Sequence, residues 1–93
     1  MQIIILESAE IELKNSALFY ERQLGGLGKY FLKYIISEID TLTMNAGIHR
    51  KFKGFHRLLT KKFPYAVYYK IYDNTVFIHA VLDCRANPKN SPQ

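Results

Sequence analysis

Residues 62–83 read KFPYAVYYKIYDNTVFIHAVLD, and the reading of this stretch decides the fold. Tyr65–Tyr72 and Thr75–Leu82 are rich in β-branched and aromatic residues, which suits extended strands, and only Asp73-Asn74 separates them. A two-residue linker of that composition supplies the left-handed backbone of a tight hairpin, so the two runs are predicted to pair antiparallel. Strict alternation then sorts the side chains. Val67, Tyr69 and Ile71 oppose Ala66, Tyr68 and Lys70, while Val76, Ile78, Ala80 and Leu82 oppose Phe77, His79 and Val81. Both faces are rather apolar, which places the hairpin at the centre of a sheet with helices covering one side.

Upstream, Phe55–Thr60 reads as a further antiparallel strand, and Ile48–Gly54 as a loop carrying His49, Arg50, Lys51 and Lys53. Two helices precede it. Ala9, Leu13, Ala17, Tyr20 and Leu24 recur at spacings of three and four and define an amphipathic helix with Ser8 as its N-cap, Glu10 and Glu12 in its first turn, and Glu21 on its polar side. Gly25-Gly26-Leu27-Gly28 ends that pattern and turns the chain into a second helix. Its stripe is Phe31, Ile35, Ile39 and Leu42, widened by Gly28, Leu32 and Ile36, and it stops near Met44–Gly47. Ile3–Leu6 is a short strand at the start. The predicted class is α+β: an N-terminal strand, an α-helical hairpin, then a three-stranded antiparallel β-sheet. Residues 1–84 form one domain, and 85–93, with Pro88 and Pro92 and nothing apolar beyond Ala86, form an extended or disordered tail.

Ninety-three residues with 48% hydrophobic content support a single small core. Such a core buries only about 60–65% of the unfolded surface, which invites a stabilising partner. Thirteen Lys and Arg against eight Asp and Glu give a net charge of +5, and an excess of that size favours a polyanion or an acidic protein as the opposite surface. Cys84 is the one cysteine, so no internal disulfide forms, which suits a reducing cytoplasm. The apolar run at the N-terminus is too short for a signal peptide or a membrane span. His49, His56 and His79 are too scattered for a metal site, and no cofactor is implied. Gly26-Leu27-Gly28-Lys29 lacks the preceding strand, the glycine spacing and the following Ser or Thr of a phosphate loop.

Taken in order, several stretches resemble the RelE/ParE toxins of bacterial type II toxin–antitoxin pairs. Ser8-Ala9 through Phe19-Tyr20-Glu21-Arg22-Gln23, Gly26-Leu27-Gly28 and Phe31 look like that family's helical hairpin. Lys62-Phe63-Pro64-Tyr65-Ala66-Val67-Tyr68-Tyr69 resembles its FPY strand, and Val76–Leu82 followed by Asp83-Cys84-Arg85 and Asn87-Pro88 its last strand and ending. The resemblance covers residues 3–88. It implies a helical hairpin packed on a curved antiparallel sheet with a concave basic surface. It also implies a cognate acidic antitoxin that binds the toxin in a hetero-oligomer and represses their shared operon. Two activities divide the family: cleavage of mRNA in the ribosome and poisoning of DNA gyrase.

Cleavage requires cationic and proton-transferring groups that converge on one phosphate. The family's basic position in the FPY strand is here Ala66, and the chain ends too soon after Arg85 to supply the usual C-terminal aromatic acid or base. The reading therefore leans to a ParE-like growth inhibitor acting on gyrase. A RelE-like ribosome-dependent endoribonuclease and a non-toxic nucleic-acid-binding module stand as alternatives. The catalytic candidates are Arg85, His56 and Tyr65. Lys53, Arg57, Lys62 and Arg85 are the candidate target contacts, the first three from a basic stretch interleaved with Phe52, Phe55 and Phe63. Tyr20 and Leu24 are candidate antitoxin contacts if exposed. Cys84 reads as a buried, inert thiol, and His79 as a strand residue satisfied by a neighbour.

Overall fold

The computed structural model describes residues 1–85. In chain order it contains β1 (Gln2–Ile5), α1 (Glu7–Gln23), α2 (Leu27–Asp40), the one-turn α3 (Leu42–Asn45), β2 (Lys51–Phe52), β3 (Phe55–Leu59), β4 (Tyr65–Tyr72) and β5 (Thr75–Asp83). The strands form one sheet in the order β1-β5-β4-β3-β2. β2 to β5 are antiparallel neighbours, whereas β1 runs parallel to β5, from Gln2 opposite Thr75 to Ile5 opposite Ile78. The expected α+β order is observed. β2 adds two residues of strand inside the expected basic loop, because Lys53 and Gly54 both take positive φ (52° and 86°) and close a second tight hairpin. Asp73 and Asn74 do the same, at 51° and 57°, between β4 and β5.

The helices pack on one face of the sheet. Ala9, Leu13, Ala17 and Tyr20 of α1 and Phe31, Ile35 and Ile39 of α2 meet Tyr65, Val67, Tyr69, Val76, Ile78 and Val81 in the main core. Burying side chains of this size contributes about 1.5–3 kcal/mol each before entropy is counted. Gly28 lets the helices touch: a Cβ there would stand 2.3 Å from the Ala17 carbonyl oxygen. Gly26, at φ +90°, caps α2. The Glu21 carboxylate accepts the Gly26 and Gly28 N–H groups at 2.8 and 2.9 Å, so the N-terminus of α2 is filled by a side chain expected in solvent.

Three further expectations are corrected. The face assignment of β5 holds only up to Ile78. The register changes from Tyr69 opposite Ile78 to Tyr68 opposite Ala80, which leaves His79 as the extra residue of a β-bulge. Beyond it the faces exchange. Val81 turns into the main core, while Ala80 and Leu82 join Phe55, Ala66 and Tyr68 on the other side. Second, Ser8 does not cap α1, which starts at Glu7 after Leu6; its hydroxyl donates to the His79 carbonyl at 2.8 Å instead. Glu12 accepts the Val81 N–H at 2.9 Å, so these two α1 side chains satisfy the edge of β5 that β1 is too short to cover. Third, the second helix ends at Asp40, and one further turn follows after Thr41. Thr41 and Thr43 hydroxyls donate back to the Glu38 and Asp40 carbonyls at 2.6 and 2.9 Å, competing with the helical ladder there.

Candidate functional site

Two surfaces stand out, one on each side of the molecule. The outer face of the sheet carries a small aromatic cluster of Phe55, Ala66, Tyr68 and Ala80 flanked by Phe52 and Leu82. Cations lie across its rings: the Arg57 guanidinium 4.6 Å and the Lys53 ammonium 5.5 Å from the Phe52 centroid, and the Lys70 ammonium 4.6 Å from that of Phe55. His79, set by the bulge, meets the Phe55 ring edge-on at 5.1 Å. Burial and the neighbouring Lys70 charge both hold its imidazole below the ordinary range, so it is a neutral group among cations. Strand pairing makes this arrangement, since Arg57 lies opposite Tyr68, and Lys70 opposite Phe77. A face with this chemistry suits anionic groups, through charge and through aromatic surface.

Of the expected target contacts, Lys53 and Arg57 are brought together there. Lys62 is not: its ammonium donates to the Tyr30 hydroxyl at 3.0 Å, on the side of α2. Arg85 is held as a clamp. Its Nε and a terminal nitrogen reach the two Asp83 carboxylate oxygens at 3.0 Å each, and that nitrogen also donates to the Tyr20 hydroxyl at 2.8 Å. Burial pushes the Asp83 carboxyl up, but the hydrogen bonds and charge of Arg85 outweigh it and hold the group below the usual range. Lys70 and His79 were not singled out from the sequence as site residues. One signal was available: Lys70 is the sole charged residue of β4.

Of the catalytic candidates, Tyr65 and Arg85 both hydrogen-bond Tyr20, and His56 does not join them. Tyr65 is buried in the main core, where burial drives its phenol well above the ordinary range. His56 points inward, its Nδ1 3.0 Å from the His49 carbonyl and its ring stacked on Tyr69. Arg85 belongs to the clamp just described. Cys84, expected buried, is exposed. Its thiol is nevertheless pushed above the usual range, by desolvation and by Asp83, against the opposing charges of Arg57 and Arg85. Among the described residues no His, Cys, Asp and Glu cluster has the geometry to hold a metal ion. No described helix is long and apolar enough to cross a membrane.

The second surface is a groove of about 450 Å³ running between α1 and α2, lined by Ala17, Leu18, Gly28 and Leu32 with Lys14, Lys29 and Glu21 at its rim. Leu18 is half exposed. At the rim the Glu21 carboxylate is engaged by the α2 backbone, and Lys14 pairs with Glu10 at 3.3 Å. Of the two expected antitoxin contacts, Leu24 is 65% exposed and Tyr20 is 7% exposed, so only Leu24 is open to a partner. The tail assigned to 85–93 lies, beyond Arg85, outside the described residues.

A small α+β domain with one cationic sheet face and one apolar helical groove is thus defined. Among solved structures it is similar to a chain of the chromosomal ParDE TA system from P. aeruginosa, with a TM-score of 0.82 and 16% sequence identity over 89% of this chain and 95% of that one. The fold is the RelE/ParE toxin-like fold implied by the residues of the hairpin and the FPY strand. No protein-family model and no curated protein matches the sequence.

Proposed function

We propose that this chain is the toxin of a type II toxin–antitoxin pair, a ParE-like inhibitor of DNA gyrase held in check by an acidic antitoxin. The observation that carries the reading is the combination of the shared fold with an outer face bearing Arg57, Lys53 and Lys70 on aromatic rings, from which His56, Tyr65 and Arg85 are all withheld. Such a face grips an anionic or mixed macromolecular surface without a convergent proton-transfer set. The antitoxin's place is the α1–α2 groove. An amphipathic segment laid there buries Leu18 and Leu32 and brings a carboxylate to Lys29.

One observation favours ribosome-dependent mRNA cleavage as a second reading. His79 lies on the outer face with Lys70 beside it, and burial and that charge hold its imidazole below the ordinary range. The two readings separate in one set of assays. Induced expression should arrest growth, and the purified chain should block gyrase supercoiling while leaving mRNA on translating ribosomes uncut. Codon-linked cuts with normal supercoiling would transfer the assignment to the nuclease. Accumulation of folded protein without growth arrest would leave a nucleic-acid-binding module.

A further inference from the structure

The connection from α3 to β2 lies over a polar cluster that the proposed activity does not use. Tyr69 is fully buried beneath it, and its hydroxyl accepts the Gly47 N–H at 3.0 Å. The His49 backbone N–H acts on the same oxygen. His49 Nδ1 lies 2.6 Å from that hydroxyl. With backbone donors on the oxygen, the geometry points the phenolic proton to Nδ1, which a neutral His49 carrying its proton on Nε2 accepts. His56 is set the other way. Its Nδ1 faces the His49 carbonyl at 3.0 Å, an acceptor only, so it keeps an Nδ1–H whether or not the ring is charged.

We propose that His49 is a proton-operated latch on the segment from Gly47 to Gly54, closed over Tyr69 while its imidazole is neutral and released when it is protonated. Protonation places a hydrogen on Nδ1, so the Tyr69 hydroxyl then faces donors alone and its own proton has no acceptor in a buried site. The groups that bear on His49 are Glu38 of α2, His56 of β3 and Tyr69 of β4. Burial is the largest influence and holds the imidazole below its ordinary range; His56 adds to the effect and Glu38 opposes it. The folded form therefore takes up this proton less readily than the opened one. Closure is at full strength above the ordinary histidine value and is lost as pH falls below it. The segment carries Arg50, Lys51, Phe52 and Lys53, so its release remodels the cationic edge of the outer face. The latch does not depend on the chain being a toxin.

Amide hydrogen exchange on the full chain, followed by NMR across about pH 7.5 to 5.5, tests it. After correction for intrinsic exchange, opening of Gly47–Lys53 should rise by up to about tenfold per pH unit once below about 6.5, with β4 and β5 unchanged. His49→Gln retains a neutral acceptor and should remove the dependence, whereas His56→Gln should leave it. Nitrogen NMR of the unaltered protein should find the neutral His49 proton on Nε2, a readout that needs no variant to fold. Protection of the segment that does not change with pH, an unchanged slope in His49→Gln, or a neutral His49 protonated on Nδ1 would each overturn the proposal.

Discussion

Gly28 and Glu21 show how much of the helical hairpin rests on single side chains. A methyl group at Gly28 would stand 2.3 Å from a backbone oxygen of α1, which moves only if the helices part. Overpacking costs about 1–3 kcal/mol, so Gly28→Ala should lower the thermal midpoint by roughly 4–8 °C per kcal/mol lost, measurable by calorimetry. Glu21 is subtler. The Gly26 and Gly28 N–H groups hold its carboxyl below the usual range, so its contribution is complete above the unfolded value of about 4.3 and fades as pH falls through the folded one. Urea midpoints of the parent chain and of Glu21→Gln should therefore differ at neutral pH and converge in acid. A gap that widens on acidification would contradict this sign.

At the scale of elements, the joint between α1 and β5 is the least local feature of the fold. Ser8 and Glu12 satisfy the His79 carbonyl and the Val81 N–H on a strand edge left open by the short β1. Removing one such bond should cost about 1 kcal/mol, so Ser8→Ala should lose that much in chemical denaturation, while Glu12→Ala, which strips the acceptor from the Val81 N–H, should expose that amide to exchange. Helices and hairpin were legible in the sequence because their signals are local: a stripe at spacings of three and four, a glycine cluster, Asp73-Asn74. The bulge was not. An extra residue on β5 leaves the sequence's own alternation intact, and only the partner strand reveals that Val81, not Ala80, faces the core. The site divides along the same line. Lys53 and Arg57 are neighbours in a basic run and stay together, while Lys70 and His79 reach the same rings only through strand pairing. Lys62 and Arg85 carry equally visible charges, but tyrosines of α2 and α1 claim them.

Across the whole molecule, the sheet separates the two surfaces, so, if the proposed toxin function holds, target attack and neutralisation should be separable by mutation. Arg57 and Lys70 rest on Phe52 and Phe55 without ion pairs to described carboxylates, and their truncation should leave the core intact. A charged hydrogen bond contributes about 1.5–3 kcal/mol, so Arg57→Ala with Lys70→Ala should weaken target inhibition by at least about tenfold while antitoxin affinity stays within about twofold. The converse change is Leu18→Asp. It places a carboxylate in the groove against an acidic partner and removes apolar contact, which should cut antitoxin binding by about a hundredfold and leave unprotected toxicity at the parental level. Isothermal titration against the antitoxin, paired with growth curves under inducible expression, reads both effects. If Leu18→Asp relieved toxicity, or the double variant lost the antitoxin, the surfaces would be one site, and division of labour between helices and sheet would be the wrong account of this fold.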